Sequence, residues 1–144
     1  MTATARDLLA MKNSAVVYTC PASATVAEAC QLLAERRVGA LVVVEGSAVV
    51  GLFTERDVAT RVVAAGLDPA WTRVADVMRQ DVPTVSLHAT VGEVELLLRR
   101  RRVRHLPVVG TRGLLGVVSL GDVARFHAAR ERLAGEETEP PALQ

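Results

Sequence analysis

Ala24-Thr25-Val26 and Ala89-Thr90-Val91, followed by Asp57-Val58-Ala59 and Asp122-Val123-Ala124, are two copies of one stretch of sequence. Thr25 falls on Thr90, a shift of 65. The same shift carries Arg36-Arg37-Val38 onto Arg101-Arg102-Val103, and Leu41-Val42-Val43-Val44 onto Leu106-Pro107-Val108-Val109. It also carries Gly51 onto Gly116, and no gap is needed between Thr25 and Ala59. Upstream, Asp7 answers to Asp76 at a shift of 69, so the first copy has about four extra residues near Ser14. This period exceeds the ~20–50 residues of solenoid repeats. Each copy is therefore a small subdomain, and two copies imply a pseudo-twofold object with a shared cleft. The boundaries read as 6–66 for the first copy, 67–132 for the second and 133–144 for a tail.

Size and charge narrow the function classes. A chain of 144 residues suits one compact domain or two halves sharing a core. Half the residues are apolar but only 3% are aromatic, so the core must be Val, Leu and Ala. A single copy of ~60 residues buries too little surface to stand comfortably alone. A net charge of +1 provides no field for wholesale nucleic-acid or membrane binding. The apolar run Gly39–Val44 is far short of the ~20 residues that cross a bilayer, and Met1–Leu9 has no apolar signal core. With Cys20 and Cys30 as the two cysteines, a reduced cytoplasm is expected rather than a disulfide scaffold. The arginine bias, sixteen to a single lysine, suggests a GC-rich bacterial genome.

Each copy reads as strand, helix, strand, strand, helix, an α/β class. Ala15–Thr19 is the expected first strand, closed by Pro21. Thr25-Val26-Ala27-Glu28 and Thr90-Val91-Gly92-Glu93 match the capping box, in which hydroxyl and carboxylate satisfy each other's backbone donors. Val26, Ala29, Cys30 and Leu33 then share one helical face, as do Val91, Val94, Leu97 and Leu98. Two hairpins follow, Ala40–Val44 with Val49–Thr54 and His105–Val109 with Leu114–Ser119. Their near-continuous apolar content suits strands covered on both faces. A second helix starts near Thr54 or Ser119, and Gly66-Leu67-Asp68-Pro69 breaks the chain between halves. Gly135 to Pro141, acidic and proline-containing, is expected to be disordered.

Thr54-Glu55-Arg56-Asp57 and Ser119-Leu120-Gly121-Asp122 hold equivalent strand-to-helix junctions. As S/T-x-x-D they can be capping boxes. They can equally be ligand corners. A helix N-terminus favours an anion, a carboxylate accepts from sugar hydroxyls, and a hydroxyl can serve phosphate or ribose. The sequence leaves both readings open.

With those corners in place, the chain resembles a tandem pair of CBS domains, a Bateman module. The resemblance rests on Val74-Ala75-Asp76-Val77-Met78, Arg101 to Val109, Gly116-Val117-Val118-Ser119 and Asp122-Val123. In the first copy it rests on Val38 to Val43 and Gly51 to Val58. It covers roughly Arg6 to Arg132 and extends to stand-alone CBS-pair proteins of actinobacteria. It implies two packed three-stranded sheets flanked by helices, with two clefts for an adenosine-containing ligand such as AMP, ADP, ATP or S-adenosylmethionine. In one cleft, Asp57 would hold ribose with Thr54 near ribose or phosphate. Val82, Pro83 and Thr84 would flank the base there, and Arg104 and His105 could reach phosphate. The mirror cleft would set Ser119 and Asp122 against Val17, Tyr18 and Thr19, with Gly39 and Ala40 opposite. Gly39 and Ala40 replace the cationic Arg104 and His105, and Val42 replaces Pro107. The Asp57 cleft is therefore expected to be the tighter.

The run Arg99 to Arg104 reads as the solvated end of a helix or a phosphate contact, since few aromatics flank it to stack bases. His88, His105 and His127 lack metal-ligand spacing. Cys30 reads as a buried free thiol, and Trp71 as packed in the linker. No nucleophile–base pair or phosphate loop is visible. The expectation is a non-enzymatic cytoplasmic regulatory module, homodimeric, with an adenine nucleotide as regulatory ligand and no required cofactor. An effector protein is implied, whereas membrane and nucleic acid are not. The alternative is a structural or protein-interaction module without a small ligand.

Overall fold

The computed structural model describes residues 2–12 and 17–138. Two short helices, α1 (Ala5–Ala10) and α4 (Val74–Val77), open the two halves. The first half continues with β1 (Thr19–Pro21), α2 (Val26–Arg36), β2 (Ala40–Glu45), β3 (Ala48–Thr54) and α3 (Glu55–Asp57). α3 runs directly into a π-helical stretch, Val58–Val63. The second half holds α5 (Val91–Arg101), β4 (His105–Gly110), β5 (Gly113–Ser119) and α6 (Leu120–Thr138). Both hairpins form, and both shift register at the same place, between Val43 and Val44 and between Val108 and Val109.

The first sheet has the order β1-β2-β3, with β1 parallel to β2. The second has only β4 and β5, and its third strand shrinks to a single bridge at Val85 beside Val108. A proline explains the difference. In the first half the Val42 N–H donates to the Tyr18 carbonyl, whereas its counterpart Pro107 has no N–H to give. The first strand also lies later than expected: Thr19–Pro21 pair with Val42–Val44, so Pro21 is the strand's last paired residue rather than a stop beyond Thr19. An edge position tolerates this. Ala15 and Val16 lie outside the described residues.

Capping is distributed differently from the expectation. Thr25 and Thr90 accept from the Glu28 and Glu93 amides, but no carboxylate returns to the cap N–H. The Glu28 carboxylate takes the Thr25 hydroxyl instead. Full reciprocal boxes occur where the third residue is the shorter aspartate, at Thr4/Asp7, Thr54/Asp57 and Ser119/Asp122.

The helices α1 and α4 interlock the halves. Thr72 and Ala24 exchange backbone bonds with Val26 and Val74, so α4 sits on the first half. Ala3 and Ala89 do the same with Val91 and Ala5, so α1 sits on the second. Val74, Val77 and Met78 accordingly join the first core around Leu41, Val43 and Phe53. Ala5 and Leu8 join the second around Leu98, Leu106, Val108 and Val118. Two glycines permit this close docking. A Cβ on Gly51 would lie 2.5 Å from the Met78 sulfur, and one on Gly116 2.7 Å from a Leu9 methyl. β3 and β5 meet between the halves.

At the C-terminus α6 runs through Thr138, past Leu133, where a disordered tail was expected to begin. The residues from Glu139 on lie outside the described part.

Candidate functional site

The two strand-to-helix corners are built alike. β2–β3 pairing sets Ala40 opposite Thr54, and β4–β5 pairing sets His105 opposite Ser119. The Glu55 N–H donates to the Gly39 carbonyl, and the Leu120 N–H to the Arg104 carbonyl, each at 3.0 Å. At one corner the Thr54 amide donates to Asp57 Oδ2 at 2.9 Å, while the Asp57 amide donates to Thr54 Oγ1 at 3.1 Å. At the other, Ser119 and Asp122 do the same at 2.8 and 3.1 Å. Capping is therefore one role of both aspartates, and both are buried.

What remains of each carboxylate differs. Asp57 Oδ1 faces only the Arg61 Nε, at 3.7 Å, too long for a hydrogen bond. Asp122 is held from two sides, by Arg125 on Oδ1 and by Lys12 Nζ at 3.0 Å from Oδ2. Lys12 also donates to the Val117 carbonyl at 2.9 Å.

Residues of both corners line one cavity of about 720 Å³. Thr54, Asp57, Arg104 and His105 line it together, and Gly39 and Ser119 share the same space. Val82, Pro83, Thr84, Val17, Tyr18, Ala40 and Asp122 are not among its lining residues. Thr19 lines a second hollow of about 410 Å³ with Glu28 and Glu35. The Tyr18 ring is covered by the Arg36 guanidinium, 5.3 Å from its centroid. The corners share a space because β3 and β5 end side by side.

Arg56, Arg61, Arg79 and Arg102 also line the cavity and were not singled out as site residues. The signal for Arg102 was legible but absorbed into the solvated run. It sits at φ +54° as the cap of α5, matched by Arg37 at +55° after α2. That left-handed conformation costs a non-glycine residue roughly 1–2 kcal/mol. With Arg104, the lining carries five arginines against Glu55 and Asp57, a surplus of positive charge.

Burial pushes the His105 pKa below its ordinary value, aided by the Lys12 and Arg104 charges, so the ring is neutral at physiological pH. Its buried Nδ1 has no hydrogen-bond partner. Burial opposes ionisation of Asp122, yet Lys12, the Ser119 amide and Arg125 together hold its pKa below the usual carboxylate range.

Other sequence features fall outside the cavity. Both cysteines are free, and the more deeply buried is Cys20, its pKa raised by desolvation to about 11. Cys30, expected buried, is only half-buried. Trp71 is 86% exposed rather than packed in the linker. His127 pairs with Glu95 at 2.9 Å. Within the basic run, Arg99 pairs with Glu95 and Arg101 with Asp81. Among the described residues no His/Cys/Asp/Glu cluster could hold a metal ion, and no helix is long and apolar enough to cross a membrane.

Comparison with known proteins agrees with this architecture. The CBS domain model matches twice, over residues 5–64 and 74–129. The chain is 36% identical over 121 residues to the mitochondrial CBS domain-containing protein CBSX3 of Arabidopsis thaliana, spanning 79% of this chain but only 59% of that one. It is 34% identical to the CBS domain-containing protein YhcV of Bacillus subtilis, covering 75% of this chain and 76% of that protein. A protein with CBS domains from Burkholderia ambifaria superposes with a TM-score of 0.82 at 34% identity, over 88% of this chain and 94% of that one. A CBS domain pair solved with 5′-methylthioadenosine and S-adenosyl-L-methionine shares the fold, with a TM-score of 0.78 at 21% identity over 90% and 99% of the two chains. With two matched copies, interlocked cores and paired strand-to-helix corners, the chain belongs to the CBS domain family and forms a CBS-pair regulatory module rather than an enzyme.

Proposed function

We propose that this module senses an adenosine-containing anion, such as AMP, ADP or ATP, in the cavity between its halves, with S-adenosylmethionine the less favoured ligand. The observation that carries the reading is the buried Asp57 carboxylate on a cavity rich in arginine, its Oδ1 engaged only by a 3.7 Å ion pair to Arg61 among the described residues. In this reading Asp57 Oδ1 accepts the ribose hydroxyls and Thr54 lies beside ribose or phosphate. Arg104 carries the phosphate, and His105 supplies a neutral ring nitrogen. Arg61 and Arg79 also donate to main-chain carbonyls, while all five arginines line the open space. The fold's occurrence with 5′-methylthioadenosine and S-adenosyl-L-methionine is compatible with this ligand class. Two free thiols fit a reducing compartment such as the cytoplasm. An effector protein would read the ligand state.

A thermal-shift screen against AMP, ADP, ATP, S-adenosylmethionine, NAD(H) and cyclic dinucleotides tests the reading. A ligand at 100 times its Kd stabilises by ~2.7 kcal/mol, and a domain of this size gains about 2–4 °C per kcal/mol. No shift with any of them would leave the interaction-module alternative standing.

The module is also proposed to be a homodimer, formed through the outer helices into a disc of four repeats. Mean hydropathy is +0.27, and Val63, Leu67, Trp71, Leu96 and Leu133 are exposed. Apolar surface of this extent favours association. Light scattering at tens of micromolar should give twice the chain mass, and a monomer would refute it.

A further inference from the structure

Lys12 is the single lysine of the chain, and its Nζ reaches the carboxylate of the second strand-to-helix corner, Asp122 Oδ2, at 3.0 Å. We infer that Lys12 is the resident occupant of the Asp122 corner, an intrachain amine that closes this corner to ribose and leaves the Asp57 corner as the single open one. The inference rests on the adenosine reading for its consequence, but not for the contact itself.

The pseudo-symmetry isolates the feature. Leu9 packs on Gly116 as Met78 packs on Gly51, so the two leading segments are in the same register on opposite halves. In that register Lys12 corresponds to Asp81. Asp81 turns to Arg101, 2.8 Å away, and leaves Asp57 alone. Lys12 instead bridges two acceptors of the second half, Asp122 Oδ2 at 3.0 Å and the Val117 carbonyl at 2.9 Å. Val117 is the counterpart of Leu52, whose carbonyl in the first half accepts a main-chain bond from the Arg79 amide. A side-chain amine has thus taken an acceptor that the main chain serves in the other half.

The chemistry suits occupancy. Asp122 is 3% exposed, and its two oxygens accept from the Ser119 amide, Lys12 and Arg125. A ribose diol would need these same lone pairs, so its hydroxyls, uncharged donors to the carboxylate, must displace donors that carry a full positive charge. At Asp57 the capping oxygen Oδ2 accepts from the Thr54 amide with no lysine beside it, and Oδ1, the counterpart of the oxygen that Arg125 holds on Asp122, has the Arg61 Nε 3.7 Å away.

Because the chain has one lysine, its amine can be read directly. Acetic anhydride labelling of Lys12, followed by mass spectrometry of its peptide, should be several-fold slower in the parent protein than in Asp122→Asn. That variant keeps an oxygen for the Ser119 amide and hence the cap. Equal labelling rates would overturn the contact. Because Arg125 holds the other oxygen, calorimetric titration with AMP reads the consequence in its absence: one binding event per chain in Arg125→Met, and a second, weaker event when Lys12→Met is added to it. A single event in both proteins, with slow parent labelling retained, would overturn Lys12 as the closure of that corner. AMP binding by neither protein would overturn the adenosine reading, while the labelling comparison would still decide the contact.

Discussion

Leu8→Ala should destabilise the folded chain by about 2–5 kcal/mol, the range for truncating a fully buried leucine. Leu8 belongs by sequence to the first repeat, yet it is 0% exposed in the core of the second, against Leu98, Leu106 and Val118. α1 is only six residues long, below the length at which a helix is stable in isolation, so its docking depends on this side chain and Ala5. At about 2–4 °C per kcal/mol for a domain of this size, the melting temperature should fall by several degrees or more. The transition should also lose cooperativity, because α1 ties the second core to the segment that leads into the first strand. Calorimetric unfolding reads both. A loss below about 1 kcal/mol, with a single sharp transition retained, would mean that α1 is not a structural part of the second core.

That exchange of leading helices marks a limit of what the sequence shows. The repeat itself, both hairpins and the two strand-to-helix corners were legible, because each rests on local pattern: apolar runs, turn residues and S/T-x-x-D spacing. Where α1 and α4 dock is set by tertiary contacts, Leu9 on Gly116 and Met78 on Gly51, which no periodicity encodes. The missing third strand of the second sheet was in principle readable. Pro107 removes the donor that Val42 supplies, but its effect falls on Pro83 and its neighbours, far away in sequence. In the site, Thr54 and Asp57 were read from the corner motif, Arg104 and His105 came from the resemblance, and all four line one cavity. Val82, Pro83, Thr84, Val17, Tyr18 and Ala40 were carried over from the resemblance and do not line it. Arg56, Arg61, Arg79 and Arg102 were passed over because arginine on an exposed helix end is ordinarily solvated. Only the meeting of β3 and β5 turns those ends toward a common space.

Asp57→Ala should weaken adenine-nucleotide binding roughly tenfold or more, since a hydrogen bond to a charged group is worth ~1.5–3 kcal/mol. Asp57 is buried and its Oδ1 accepts no hydrogen bond among the described residues, with the Arg61 Nε 3.7 Å away, so the oxygen is available to a ribose. Its Oδ2, however, caps α3 through the Thr54 amide, and removing a cap costs ~1 kcal/mol by itself. Asp57→Asn separates the two roles. It retains an oxygen for the Thr54 amide while removing the charge that strengthens the ribose bonds, so binding should weaken with the unliganded melting temperature nearly unchanged. Arg104→Ala should weaken AMP more than adenosine, because only AMP carries a phosphate for the guanidinium. Arg104 is exposed, which lowers the value of that contact in water, so its loss should be smaller than that at Asp57. Asp122→Asn should leave the tighter binding event intact, because Lys12 and Arg125 already occupy that carboxylate. Calorimetry with AMP and adenosine on the parent and these variants decides among the roles. Equal losses at Asp57 and Asp122 would mean that both corners serve one ligand across the shared cavity, and the asymmetry between them would fall.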